Sequence, residues 1–380
     1  MLLFQQTALV IWLIFSITAS YTTPAYGQRT EVWTRFTVQR KGEECYGYRG
    51  PQGQVKLPAI FGGFTSARRF YHIMAVSEAA SQAQYYVLKN GRTIGRDSVY
   101  VNDFLFDCES EGTIRYRDKR NRVGFFDARG RAVIPALYNY VTPFHNGLAV
   151  ALLGARRTCG NSPDTVQCEH PGWAGGRQVL LNARNEVVIN NLAAEPTGSG
   201  QLNWYSLKIN APAPDTATTV TLRATNGDRY TFTDYQKEFT AWLYRVFVPA
   251  VRTGDAAAVQ ALCFSDLAVA ARPFRGWPHF TPTAFLAKYR QAVLRPRLGR
   301  LRPGAPGVHI GPGELNTLIF DSQDFEPFLT ACGEHFSEKY PVFEVILTYP
   351  AQPADAPFDH QEHFEFIRTA SGYRLLSVSL

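Results

Sequence analysis

Residues 124–138 read GFFDARGRAVIPALY, and residues 47–61 read GYRGPQGQVKLPAIF. The two stretches share one skeleton. An aromatic residue follows the leading glycine, then come a turn with a second glycine, an apolar residue, proline, a small residue and a closing aromatic. The fixed points are Gly47, Tyr48, Gly53, Leu57, Pro58, Ala59 and Phe61 in the first stretch, and Gly124, Phe125, Gly130, Ile134, Pro135, Ala136 and Tyr138 in the second. This pattern predicts a β-hairpin, in which a short strand enters a turn whose glycine takes positive φ and a second strand leaves it. Proline lacks the ladder donor, so Pro58 and Pro135 are expected to end the pairing.

Further units come into register with this frame. YYVLKNGRTIG at 85–95 places Asn90-Gly91 at a turn, so Gly91 follows Gly53 at a spacing of about 38 residues (91 − 53). GRQVLLNARNEVVI at 176–189 aligns without a gap to NRVGFFDARGRAVI at 121–134, and the segments EGTIRYR from Glu111 and NGLAVALL from Asn146 read as further short strands. Such units cannot bury their faces alone and must stack on their neighbours. Tyr48, Phe125 and Tyr138 therefore read as packing residues rather than as a ligand-binding strip.

The run from Gly112-Thr-Ile-Arg through Gly124-Phe-Phe-Asp, Gly130, Val133-Ile-Pro and Tyr138 to Phe144-His-Asn-Gly-Leu-Ala-Val resembles the bacterial WG repeat. The resemblance spans about residues 44–192, with Val123-Gly124 and Tyr46-Gly47 standing where the eponymous Trp-Gly would be. It implies an all-β repeat array with a binding or scaffolding role and no established catalytic residues.

The texture changes after Ile189. NNLAAEPTGSGQ and NAPAPDTA have linker character, and TTVTLRATNGDRYTF is a hairpin signal around Asn226-Gly227. Thr233 with Gln236 forms a capping-box pattern for a helix that places Phe239, Trp242, Leu243, Val246 and Ala250 on one face, and Pro249 is expected to kink or stop it. TGDAAAVQALC opens a second helix, and TPTAFLAKYRQAVL a third, capped by Thr281 with Pro282 in its first turn. Strands are expected at 342–349, 363–369 and 372–380. Helices followed by antiparallel strands, the Arg252-Thr-Gly-Asp255 break and the terminal Gly372-Tyr-Arg-Leu-Leu-Ser-Val are similar to the nuclear transport factor two-like superfamily. That similarity, over roughly 233–380, implies a cone formed by a curved sheet over helices. The superfamily includes both enzymes and non-catalytic domains.

The first 28 residues carry no charged side chain, and an apolar core from Ala8 to Ile17 leads to Ala25-Tyr26-Gly27. This fits a signal peptide cleaved before Gln28, with a retained N-terminal membrane anchor as the alternative. Export gives the six cysteines a meaning, because oxidising compartments permit disulfides. Position suggests Cys45 with Cys108, Cys159 with Cys168, and Cys263 with Cys332, the middle pair closing a short loop. The absence of any C-x-x-C argues against a metal role.

Net charge is +7, and the densest basic run is RPRLGRLRPG with Arg295, Arg297, Arg300 and Arg302. It contains no aromatic residue for base stacking, so it reads as a solvated loop and not as a nucleic-acid groove. No G-x-S-x-G, H-E-x-x-H, P-loop or dinucleotide fingerprint occurs. In DHQEHFEF, strand periodicity puts His360 and Glu362 on one face and His363 with Glu365 on the other, so one ion cannot take both histidines. Asp321, Asp324, Glu326 and His335 are the remaining acid–base candidates.

The sequence thus predicts a multidomain protein, an all-β repeat array of hairpin units of about 38 residues followed by an α+β cone-like domain. Its expected parts are a signal peptide at 1–27, the array at 28–192, a linker with a β-hairpin at 193–232 and the α+β domain at 233–380. The expected function is non-catalytic binding or scaffolding at the bacterial envelope, secreted or periplasmic. Its partner would be a protein or an envelope polymer, with no nucleic acid, no stable membrane span after cleavage, and no cofactor, metal or catalytic residue assigned. Two alternatives are an acid–base hydrolase or isomerase using the C-terminal cone pocket, and a glycan-binding module using Trp173 or Trp204.

Overall fold

The computed structural model describes residues 31–102, 104–159, 168, 172–192, 203–212, 217–271, 275–350 and 360–380. The segment expected to be a signal peptide lies outside these residues. Val32–Leu380 forms one compact unit. Up to residue 233 it is a succession of small antiparallel sheets of two to four strands. From residue 235 it contains the α-helices and one six-stranded sheet.

One turn geometry recurs through the first part. At Gly50, Leu88, Asp127 and Asn182 the backbone N–H donates to the carbonyl four residues on, at 2.9, 2.9, 2.9 and 3.0 Å. The residue three positions after each donates back, and it is the one in the left-handed region: Gly53 (φ 81°), Gly91 (82°), Gly130 (72°) and Asn185 (63°). The predicted turn glycines therefore do what the hairpin reading requires. Asp127 adds a side-chain brace, its Oδ1 accepting from the N–H groups of Arg129 and Arg131.

The two prolines do not end their strands. Val55–Phe61 runs through Pro58 and Ala132–Tyr138 through Pro135. The ladder absorbs each proline as a bulge: Tyr46 pairs with Phe61 and Tyr48 with Leu57, while Val123 pairs with Tyr138 and Phe125 with Ile134. Extra residues on one strand leave the donor-less proline out of the ladder while pairing resumes beyond it. The bulge presses on the partner strand at a glycine. A Cβ on Gly124 would lie 2.7 Å from Ala136 N and 2.8 Å from Pro135 C, and one on Gly47 would lie 2.9 Å from Ala59 N.

The hairpin Thr219–Arg223 and Arg229–Thr233 forms as expected around Gly227. It shares a hydrophobic core with the preceding sheet, in which Leu222, Tyr230 and Phe232 meet Leu148, Leu180 and Ile189. The next helix begins one residue later than the capping-box reading. Asp234, not Thr233, caps it by accepting from Lys237 N at 3.1 Å, because Thr233 is still paired in the strand with Thr219. The helix also passes Pro249. A wide π turn at Leu243–Phe247 joins Tyr235–Trp242 to Val248–Thr253, so the proline falls in the first turn of a new helical segment. The wide turn shifts the helical phase, which leaves Val246 exposed while Phe247, Val248 and Val251 are buried.

The six-stranded sheet has the order His279–Phe280, Cys263–Ala270, Gly372–Ser379, His360–Thr369, Val342–Tyr349, Val308–Gly313. Cys263–Ala270 and Gly372–Ser379 run parallel, and every other neighbouring pair is antiparallel. The helices cover one face, where Phe239, Phe247, Phe343, Phe366 and Tyr373 fill the space between helix and sheet. The other face is covered by the segment carrying Leu315, Phe320, Phe325 and Phe328.

Cys159 bonds Cys168 as expected, but Cys108 bonds Cys332, and Cys45 and Cys263 are buried free thiols. The expected pairs Cys45–Cys108 and Cys263–Cys332 assumed that each part closes on itself. Instead the loop around Ala331 docks on the first sheet, where its carbonyl accepts from the N–H groups of Arg68 and Arg69 at 2.9 and 3.0 Å. Burial pushes the Cys263 thiol up to about 12, which keeps it protonated and unreactive.

Two outcomes follow for stability. Gly124→Ala should cost about 1–3 kcal/mol in denaturant unfolding because its clash is with backbone, whereas Gly53→Ala, facing open space, should cost about 1 kcal/mol for its φ alone. Replacing both Cys108 and Cys332 by Ser opens a crosslink spanning 224 residues. The expected loss is about 5 kcal/mol on the chain-entropy scale, roughly twice that for the Cys159–Cys168 pair.

Candidate functional site

The predicted acid–base candidates are dispersed. Asp321, Asp324 and Glu326 are exposed, and Glu326 pairs with Arg69 at 3.2 Å. His335 is buried in a structural role: its Nδ1 accepts from Leu315 N at 3.3 Å and its Nε2 donates to Tyr340 O at 2.8 Å. His360 and Glu362 do share a face, and their closest atoms are 3.9 Å apart. Glu362 is not solvated, however. It is buried and accepts from Arg297 Nε at 2.6 Å and from Tyr349 OH at 3.0 Å. The basic run around Arg297 is therefore no free loop, since Leu298 and Leu301 are buried within it. His363 faces Glu344 at 2.5 Å, and Glu365 accepts from Ser377 Oγ, with burial raising the Glu365 carboxyl. Among the described residues no group of three His, Cys, Asp or Glu side chains could hold a metal ion.

Trp204 is buried against Phe232, with ring centroids 6.2 Å apart, and Trp173 is half-buried with the Arg157 guanidinium 5.8 Å from its ring. The two do not make the exposed aromatic strip of a glycan-binding surface.

A cleft of about 1090 Å³ brings together residues that sequence reasoning did not connect. One wall comes from the small sheets, with Tyr140, His145, Gln178 and Trp204. The other comes from the first helix, with Asp234, Tyr235 and Lys237, and from Glu314, His335, Glu338 and Phe343. His145 sits at the turn before Leu148–Leu153. That turn is fixed by Glu111, whose carboxylate accepts from the N–H groups of Asn146 and Gly147 at 2.5 and 2.8 Å and from Tyr205 OH at 2.8 Å. The His145 ring lies 5.9 Å from that of Phe336, and its side chain is 10% exposed.

The electrostatics of His145 are distinct from those of other buried ionic groups. Arg115, also buried, is fully engaged: it donates twice to Asp107, at 2.9 and 2.7 Å, and once to Val141 O at 3.0 Å. His145 Nε2 has only Glu338 Oε1 at 3.7 Å, and Nδ1 has no hydrogen-bond partner. Burial outweighs the attraction of Glu338 and Glu111 and holds the imidazole below the ordinary histidine value. Nε2 is the ring nitrogen nearest the Glu338 carboxylate, and Nδ1 is sealed from solvent. Gln178 Oε1 is likewise buried without a partner, and Gln178 also lines the cleft. The sequence signal that could have pointed here is the His145-Asn-Gly turn within the repeat-like segment, which carried no chemical motif.

Because the folded pKa of His145 is depressed, the unfolded chain binds the proton more readily. Stability should be full above about pH 6.5 and fall as pH drops below that value toward the folded pKa. His335, lowered by burial, has the same sign. Urea unfolding at pH 7.5 and 5.5 should show the loss, and His145→Gln should reduce it. The His145 ring resonances should titrate below the ordinary histidine value. No protein-family model matches the chain, and no curated protein matches it.

Proposed function

We propose that this chain is an exported, non-catalytic binding protein of the bacterial envelope, a WG-like repeat array joined to a nuclear transport factor two-like layer, with its ligand seated in the His145 cleft. The observation that carries the reading is the cleft of about 1090 Å³ itself, which polar side chains of His145, Gln178, Asp234, Lys237, Glu314 and Glu338 line together with aromatic ones. A large concavity that combines aromatic walls with a few polar groups is the usual form of a ligand site. The recurring turns, the glycine-dependent bulges and the mixed sheet under helices support the two resemblances. Two disulfides fit an oxidising compartment, and no helix among the described residues is long and apolar enough to cross a membrane. The space between helices and sheet is filled by aromatic side chains, which argues against a catalytic pocket there.

A second reading, an acid–base enzyme, is favoured by one observation: His145 Nε2 lies 3.7 Å from Glu338 Oε1, and both residues line the cleft.

A fragment screen by NMR, with hits mapped by chemical-shift changes, should place binders at His145, Gln178 and Tyr235. Binders mapping elsewhere, or none at all, would reject the cleft as the site. Turnover of a bound compound that is lost in Glu338→Gln, with binding retained, would replace the binding reading by the enzymatic one.

A further inference from the structure

Much of the positive charge of this molecule sits in two turns of the small sheets. Residues 117–131 hold six basic side chains, Arg117, Lys119, Arg120, Arg122, Arg129 and Arg131, against two aspartates, a net +4 (6 − 2) of the +7 carried by the whole chain. Both aspartates are turned onto their own backbone. Asp118 Oδ1 accepts from the N–H groups of Arg120 and Arg122 at 2.8 Å each, and Asp127 Oδ1 from those of Arg129 and Arg131 at 2.9 Å each. Of the six cations only Arg131 is in an ion pair among the described residues, with Asp127 Oδ2 at 2.7 Å. Lys119, Arg120, Arg122 and Arg129 are exposed and keep their charge uncompensated.

The two turns stand at opposite ends of the strand Val123–Asp127, about 17 Å apart at the rise of a strand. A third turn joins one end: Arg92 Nη2 donates to Arg129 O at 2.5 Å, so Arg92, Arg129 and Arg131 come together there. Between the two ends runs Ala132–Tyr138, the outer strand of its three-stranded sheet. It carries no charge and exposes Val133, Pro135 and Leu137. Phe126 pairs with Ala132 and Val123 with Tyr138, which leads this strand from one cationic turn to the other. None of these residues lines the His145 cleft.

We propose that this strip is a second binding surface, for a linear uronic-acid polysaccharide laid along Ala132–Tyr138 with carboxylates reaching both cationic turns. A polymer long enough to span the strip engages both clusters at once, a gain that a single acidic sugar cannot have. The uncharged side chains between the turns accept the C–H faces of sugar rings. RNA would call for ring faces on which bases stack, and the aromatic pair of this sheet, Tyr116 and Phe126, stack on each other with centroids 4.1 Å apart. A bilayer would call for apolar side chains that project past the cations, whereas Val133 and Leu137 belong to a paired strand and are 42% and 45% exposed.

The test is titration of the full chain with polygalacturonate, beside monomeric galacturonate, dextran, polyuridylate and phosphatidylglycerol vesicles. Polygalacturonate should bind with an affinity that falls as salt is raised, and neither the monomer nor dextran should compete. Arg120→Glu and Arg129→Glu, one at each end, should each weaken binding by about tenfold. Arg300→Glu, an exposed cation of the other basic run, should leave it unchanged. Arg120 and Arg129 engage their turns through backbone groups, so both variants should melt as the parent does. An equal loss in Arg300→Glu would mean that net charge alone is read, and overturns the inference. Tighter binding of polyuridylate or of the vesicles assigns the strip to another class of partner and overturns it too, as does a failure of polygalacturonate to bind. The fragment screen at His145 judges the cleft independently of all these outcomes.

Discussion

The segment from Leu315 to Tyr340 is the constraint on which the rest of the structure depends. It contains little regular structure, yet it is tied at every end. Its Ala331 carbonyl takes two N–H groups from the first sheet, Cys332 is bonded to Cys108, and Arg69 reaches Glu326. His335 bridges the segment's own start and end through Leu315 N and Tyr340 O. Its phenylalanines cover the outer face of the six-stranded sheet, while Phe336 meets His145 and Tyr205. One irregular segment thus completes two cores and supplies Glu338 to the cleft.

The polar interior divides into groups that are satisfied and groups that are not. Arg115 with Asp107, and Arg297 with Glu362 and Tyr349, are closed networks in which each charge meets an opposite charge or a carbonyl. Arg368 and Tyr373 converge on Glu238 in the same way and pin the first helix to the sheet. Such networks position elements, because breaking one partner strands the other in low dielectric. Among the described residues, His145 Nδ1, Gln178 Oε1, Trp33 Nε1 and Tyr289 OH depart from this rule, and the first two belong to residues that line the cleft.

Much of the fold was legible in short-range pattern. The left-handed turn positions at Gly53, Gly91 and Gly130, the helix starts at Asp255 and Thr281, and the three C-terminal strands are all local consequences of conformational preference and period. Errors arose where a local rule met a neighbour. Proline was expected to end its strands, and a bulge against Gly47 or Gly124 accommodated it. Pro249 is expected to kink or stop a helix, and a π turn ahead of it starts a new helical segment that carries the chain past it. Arg297 reads as solvated until Glu362 is placed beside it.

By itself, the sequence determined the strand-rich class, the left-handed turn positions of its hairpins, and the short Cys159–Cys168 loop, because each depends on residues a few positions apart. Only the tertiary structure decided the Cys108–Cys332 bond, the burial of Glu362, and the meeting of His145, Gln178 and Glu338 in one cleft. Those depend on which surfaces pack together from distant parts of the chain, 65 residues apart for Arg297 and Glu362 and 224 for the cysteines, separations over which neither periodicity nor propensity carries information.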